Sequence, residues 1–305
     1  MNISDVLLER YDATRLLRLR VAALAAGDSR RAALRDVRPV TSMGLRFPAS
    51  VGMAAGFDRY GDFAHHAHAV GLGFVETGTV TPLPEPGHNR GVGVLIAKLE
   101  RHGWGRRDDC AAQRSRLGIS IASNSSTPPS RIHQDYRVCM RQGWRFADYF
   151  TINIGFMFSA FGDNCQTLVA LLAQLKDEQL RLAQRTGGYA PIVLKLILKK
   201  DESLDGNLYL AERVREIGFD GILAVFPDSE CDRTASGRNL RLAMVQQLVR
   251  IGCERLAVLT VGGIRNARDA RERFEAGAAL VQIHRGLISP GPSLVREING
   301  VRDVR

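Results

Sequence analysis

The sequence predicts an α/β fold: a (β/α)8 TIM barrel with a short helical N-terminal extension. Three observations carry this. Eight short apolar runs recur with helix-patterned segments between most of them; such alternation implies a parallel sheet, and eight units imply closure into a barrel. The 305 residues, 45% hydrophobic, suit one large domain with a full core. The last two apolar runs lead into Gly262-Gly263 and His284-Arg285-Gly286. Those are the loops after strands seven and eight, where barrels often hold a phosphate. No repeat or low-complexity linker divides the chain, so residues 1–40 are expected to form the extension and 41–305 the barrel.

Residues 4–26 pattern as a helix, with Val6, Leu7, Leu8, Tyr11, Leu16, Leu17, Leu19 and Leu24 among Arg10, Arg15, Arg18 and Arg20. Such a stripe packs on its own domain or rests on a membrane surface. The predicted strands are 51–55, 74–77, 119–122, 149–153, 192–197, 221–225, 257–261 and 280–283. Helical patterns cover 167–185 and 208–217. The long connection 82–116 has room for a hairpin, GVGVLIAKL, over the C-terminal mouth. From 256 to 286 the order is strand, Gly-Gly loop, helix, strand, basic loop. Asn266 is the expected N-cap, Asp269 lies in the first turn, and Gly277 ends the helix.

The formal net charge of +10 favours anionic partners, but Lys and Arg are spread along the chain. A phosphorylated cofactor plus a basic solvated face accounts for this, and no nucleic acid is expected. Five cysteines without a Cys-x-x-Cys suggest reduced thiols. The first residues lack the apolar core of a signal peptide, and no apolar run reaches membrane-spanning length. The expected location is the cytoplasm, with peripheral membrane contact through the N-terminal helix. His65-His66-x-His68 falls on the helix after strand one, on the barrel exterior, and reads as a solvated face; no metal is expected.

Function in a barrel concentrates in the loops at strand C-termini. After strand one comes Ala55-Gly56-Phe57-Asp58-Arg59, and after strand two Gly78-Thr79-Val80-Thr81-Pro82. Strand four ends at Asn153. Lys195 stands at the centre of IVLKLIL, and a lysine inside a barrel strand is costly without an anionic partner. That partner is either a structural carboxylate or the N1 region of a flavin. Ser236-Gly237 follows strand six in a loop with Arg233 and Arg238. The glycines of 262–286 let the backbone approach a ligand, and their N–H groups favour an anion.

These stretches carry a resemblance. AAGFDRYGD, ETGTVTPLPEPG, DYRVCM, Ser236-Gly237-Arg238, VGGI and AGAALVQIHRG resemble the FMN-dependent dihydroorotate dehydrogenases, specifically the membrane-associated, quinone-using class. The similarity runs from about Gly44 to Asn299. It implies an FMN phosphate at Gly262, Gly263, Arg285 and Gly286, with Ser236, Gly237 and His284 nearby. It also implies that Ala55, Gly56 and Thr79 line the isoalloxazine. Asn153 and Lys195 would contact its polar edge, with Arg59 in place of the family's lysine and Ser120 in place of an asparagine.

The departures bear on the substrate. The family's strand-four loop reads Asn-(Ile/Val)-Ser-Ser-Pro-Asn, with a serine base and an orotate-binding asparagine. Here Asn153-Ile154-Gly155-Phe156-Met157-Phe158 puts Phe156 at the base and Phe158 at the asparagine. Phe226-Pro227 replaces an Asn-Thr pair, and Glu100-Arg101-His102-Gly103-Trp104 replaces Asn-Arg-Met-Gly-Phe. A phenyl ring cannot accept a proton, so dihydroorotate is not the expected substrate. Phe156, Phe158, Phe226 and Trp104 suggest an apolar or aromatic substrate whose carboxylate meets Arg59 or Arg101. FMN would exchange hydride with it at N5 in a specialised biosynthetic pathway, with a quinone or another electron acceptor. His102, Ser159 and Cys165 are the other acid/base candidates. The alternative is a silent homologue that keeps the barrel for binding or scaffolding. A kinship with the tRNA dihydrouridine synthases ranks last, because their cysteine in Asn-x-Gly-Cys-Pro is Phe156 here.

Overall fold

Both faces of a parallel barrel strand are covered, so its sequence reads as a nearly continuous apolar run. A computed structural model describes residues 37–86, 88–105, 114–155, 165–198, 205–227, 234–287 and 291–302. The helix predicted over 4–26 lies outside them, as do Phe156, Phe158 and Ser159. The eight runs form one closed parallel barrel, in which each strand lies beside the next in sequence and the last beside the first. Its strands are β3 (Val51–Asp58), β4 (Phe74–Val80), β5 (Arg116–Ile121), β6 (Tyr149–Asn153), β7 (Ile192–Ile197), β8 (Gly221–Val225), β9 (Ala257–Val261) and β10 (Leu280–Ile283).

The last five keep the bounds that the apolar runs gave. β3, β4 and β5 are longer because polar residues belong to them. Asp58 ends β3 and accepts the amide N–H groups of Asp62, Phe63 and Ala64 at 2.8, 2.8 and 2.9 Å. Arg116 starts β5 on a buried ion pair with Asp148 at 3.0 Å.

Two further strands, β1 (Val40–Ser42) and β2 (Leu45–Phe47), form an antiparallel hairpin before the barrel. Its turn residues Met43 and Gly44 have φ of 54° and 73°. Phe47 packs edge-on against Phe74 and Tyr149, with ring centroids 5.5 and 6.4 Å away. Together with Val193, Leu223, Leu259 and Leu280 these rings fill the N-terminal end of the barrel. No apolar run of three residues announces a strand, so periodicity passes over this hairpin.

Between β3 and β4 runs a 3₁₀ helix, Ala64–Val70, which carries the histidine tract. The other connections are α1 (Val92–Arg101), α2 (Ile132–Gly143), α3 (Cys165–Thr186), α4 (Asp205–Ile217), α5 (Ala235–Gly252) and α6 (Ala267–Glu275). α7 (Pro292–Arg302) closes the ring after β10. The hairpin expected at GVGVLIAKL is instead α1. Val92, Leu95 and Leu99 recur at helical spacing and are all buried, so the helical stripe decides the segment.

The predicted cap of α6 is present: the Asn266 side chain accepts the Asp269 N–H at 2.9 Å. Asn266→Ala is expected to lower stability by about 1 kcal/mol. Urea unfolding followed by circular dichroism reads this as a lower midpoint at unchanged slope.

Candidate active site

Two adjoining cavities open at the C-terminal ends of the strands, of about 430 and 440 Å³. Ala55 and Lys195 belong to the walls of both. The first lies over β8, β9 and β10 and is lined by Gly262, Gly263, His284, Arg285 and Gly286, among others. At Gly262 (φ 102°) a Cβ would lie 1.9 Å from the Phe226 carbonyl oxygen, so only glycine lets β9 leave the sheet beside the end of β8. Burial lowers the His284 pKa first, and the Arg285 and Arg59 charges add to this. The ring is neutral at pH 7, packed edge-on against Phe57 at 5.9 Å. That leaves Arg285 as the cation of this loop.

Gly262→Ala is therefore expected to strain the loop by about 1–3 kcal/mol. Any ligand held by that loop should then bind roughly 10–100-fold more weakly. Isothermal titration with FMN measures the loss directly.

The second cavity lies over β3, β4, β5 and β6. Asn153 is fixed from several sides: its Nδ2 donates to Thr79 Oγ1 at 2.9 Å, its carbonyl accepts the Tyr136 hydroxyl at 2.7 Å, and its Oδ1 accepts the Gly155 N–H at 3.2 Å. Thr79 Oγ1 lies 2.9 Å from Ser120 Oγ. Ser120 is fully buried behind Thr79 and outside both cavity walls. The loop after β4 is tied by Asn89, whose Oδ1 accepts from the Thr81 hydroxyl at 3.0 Å and the Gly91 N–H at 2.8 Å. This places Thr81, Glu85 and His88 on the wall together with Ser123 and Ser125, the last bonded to Glu85. Arg59 Nη1 donates to the His88 carbonyl at 3.3 Å and closes the rim. The described wall mixes polar and apolar surface and carries Arg59, Lys195, Glu85 and His88.

Sequence reasoning missed Glu76. This fully buried residue of β4 lines the first cavity with Lys195. Its Oε2 accepts from Gln282 Nε2 at 2.9 Å, Thr151 Oγ1 at 2.9 Å and the Tyr149 hydroxyl at 3.3 Å. The signal was available: an acid inside FVETGTV is as costly as the lysine inside IVLKLIL.

Several predicted residues lie elsewhere. Ser236 and Gly237 occupy the first turn of α5 rather than a loop, because Thr234 caps that helix by accepting the Gly237 N–H at 3.0 Å. Neither lines either of these two cavities. Arg101 ends α1 and His102 follows it, both exposed, with His102 stacked on His65 at 4.1 Å on the outer surface. Trp104 is buried beneath the Arg114 guanidinium, 4.4 Å from its ring centroid. Cys165 is the first residue of α3. Phe226 lines the first cavity, with Arg273 over its ring at 4.5 Å. Among the described residues, no group of three or more His, Cys, Asp or Glu is placed to hold a metal, and no helix is long and apolar enough to cross a membrane.

Comparison with known proteins places these features in context. The family model described as dihydroorotate dehydrogenase matches residues 38–196 and 235–301. A dihydroorotate dehydrogenase (quinone) of Cellvibrio japonicus is 34% identical over 298 residues, covering 84% of this chain and 83% of that protein. One of Marinobacter nauticus is 33% identical over 302 residues, covering 85% and 84%. In fold, the chain is similar to the crystal structure of DHODH in complex with ferulenol from Eimeria tenella. The TM-score is 0.76 at 23% identity, covering 95% of this chain and 89% of that one.

Proposed function

The chain belongs to the dihydroorotate dehydrogenase family, and we propose that it is an FMN-dependent oxidoreductase of the CH–CH type whose substrate is a carboxylate-bearing molecule other than dihydroorotate. FMN is the cofactor of the family. The observation that carries the reading is Lys195. It projects from β7 into the common wall of two cavities, half-buried, with no hydrogen bond or ion pair among the described residues. A cation so placed asks for an anionic or strongly accepting group above it, which the polar edge of a flavin provides.

The remaining residues fit that group. Gly262, Gly263, Arg285 and Gly286 would hold the phosphate at one end of the continuous cleft. Ala55, Gly56, Thr79, Asn153 and Lys195 would line the ring at the other. Bound there, FMN supplies a hydride acceptor and donor. Arg59, on the rim of the second cavity, would pair with the substrate's carboxylate. The sequence assigns Phe156 to the position of the family's base and Phe158 to that of an orotate-binding asparagine, which supports a different, partly apolar substrate in a specialised pathway. The quinone for which the relatives are named is the electron acceptor we propose, reached by peripheral contact with a membrane.

The visible spectrum of the purified protein, with identification of the released cofactor, tests the reading. Flavin bands and released FMN support it. A colourless protein that refuses added FMN would overturn it and leave a binding or scaffolding role.

A further inference from the structure

Arg273 of α6 and Arg241 of α5 are only 3% and 8% exposed, and neither lines either cavity. Both lie instead against the Gly262-Gly263 turn, which does line the first one. Arg273 Nη2 donates to the Gly262 carbonyl at 3.3 Å, and the same guanidinium lies 4.5 Å from the Phe226 ring centroid. One side chain thus ties the turn after β9 to the residue after β8. The Arg241 guanidinium packs against Gly263, where an added Cβ would come 3.2 Å from its Cζ. Arg273 Nη1 is buried without a partner, and among the described residues no carboxylate forms an ion pair with Arg273. Burial first, and then the Arg241 charge, pull the Arg273 pKa down to about 10, which leaves it charged at neutral pH. Two buried cations behind one turn are costly unless an anion comes close.

The Gly262–Gly263 peptide is trans, so its C=O and N–H point to opposite sides. With the carbonyl drawn to Arg273, the Gly263 N–H faces away from that residue. It meets no acceptor among the described residues. An amide at a cavity wall without an acceptor suits a ligand that brings one.

We propose that Arg273 is a positioning residue for the phosphate: it holds the Gly262 carbonyl back and so presents the Gly263 N–H to a phosphate ester in the first cavity. Arg241, packed against Gly263, fixes the other half of the turn. A glycine pair turns over readily, and a flipped peptide would aim a carbonyl oxygen at the anion in place of an N–H. The inference deepens the FMN reading of the cleft and rests on it.

The test titrates the full-length wild type, R273M and R273K with FMN and with riboflavin, the same ring without the phosphate. Quenching of flavin fluorescence reads both affinities. R273M should bind FMN roughly 10–100-fold more weakly than the wild type, and riboflavin within about threefold of it. R273K keeps a donor and a charge and should recover part of the FMN affinity. Equal losses for the two flavins, or no loss of either, would overturn the proposal, because a residue that only supports the fold does not distinguish them. Should R273M fail to accumulate, R273K carries the same comparison: a loss confined to FMN supports the proposal, and an equal loss or none overturns it.

A second arm uses the cofactor-free protein and inorganic phosphate. Phosphate should raise the thermal midpoint of the wild type and leave that of R273M in place. A wild type that binds neither flavin but shows this difference would sink the FMN reading and leave the role of Arg273 standing. The same phosphate response in both proteins, or none in either, would overturn that role.

Discussion

Mixed anaerobically with dihydroorotate, the FMN-loaded protein is expected to stay yellow, its flavin bleaching some two to four orders of magnitude more slowly than in a relative that retains the serine base. The expectation follows from the chain after Asn153. Oxidation of dihydroorotate needs a group that removes a proton as hydride leaves. The position that the family gives to that group is Phe156, whose ring has no lone pair to offer. Arg59 remains cationic, Lys195 faces the cofactor side, and the Glu85 carboxylate is engaged by Asn124 Nδ2 and the Ser125 N–H at 2.9 and 2.6 Å. Those bonds hold Glu85 below the usual carboxylate range, so it is a poor base. Stopped-flow absorbance at the flavin band measures the rate. Bleaching as fast as in a serine-bearing relative would restore dihydroorotate as the substrate.

The largest effect on stability is expected at Asp148. Its side chain is 1% exposed and meets Arg116 at 3.0 Å, the Leu117 N–H at 2.7 Å and Arg114 at 3.6 Å. Arg116 in turn donates its Nε–H to the Arg46 carbonyl at 2.9 Å, so one carboxylate ties the start of β5, the start of β6 and the hairpin together. Asp148→Ala leaves the buried Arg116 charge without its carboxylate, which typically costs about 3–5 kcal/mol. A whole domain has only about 5–15 kcal/mol in hand, so the variant should unfold at markedly lower urea or fail to accumulate. Asp148→Asn keeps an acceptor for the Leu117 N–H and should lose less. Equal midpoints for Asp148→Ala and wild type would show that Arg116 finds another acceptor.

What could be read beforehand follows the periodicity. The eight strands were legible because burial on both faces writes continuous apolar runs. The Asn266 cap and the glycine loops were legible because their chemistry is local. Two kinds of feature were not. A three-residue strand such as β2 has no period, and its role depends on Phe74 and Tyr149, which are distant in sequence. GVGVLIAKL mixes glycine with β-branched residues, which favours a strand locally; the helical stripe of Val92, Leu95 and Leu99 prevails because it is buried. At the site, Lys195 was visible by its incongruity within an apolar run. The equally incongruous Glu76 was passed over because it stood inside a motif already assigned to the loop that follows. Ser236 and Gly237 were misplaced because Thr234 starts the helix two residues before the serine.

The hairpin that stoppers the barrel also has a consequence in time. β1 and β2 leave the ribosome before any barrel strand, yet the residues that receive Phe47 come from Phe74 to Leu280, nearly the whole length of the chain. Among the described residues, the first regular structure to be synthesised is thus the last to find its complete seat. Contacts of such sequence separation form slowly and leave apolar surface exposed meanwhile. Until β10 closes the ring, Phe47 has only part of its socket, and the nascent barrel remains open at the end opposite its chemistry.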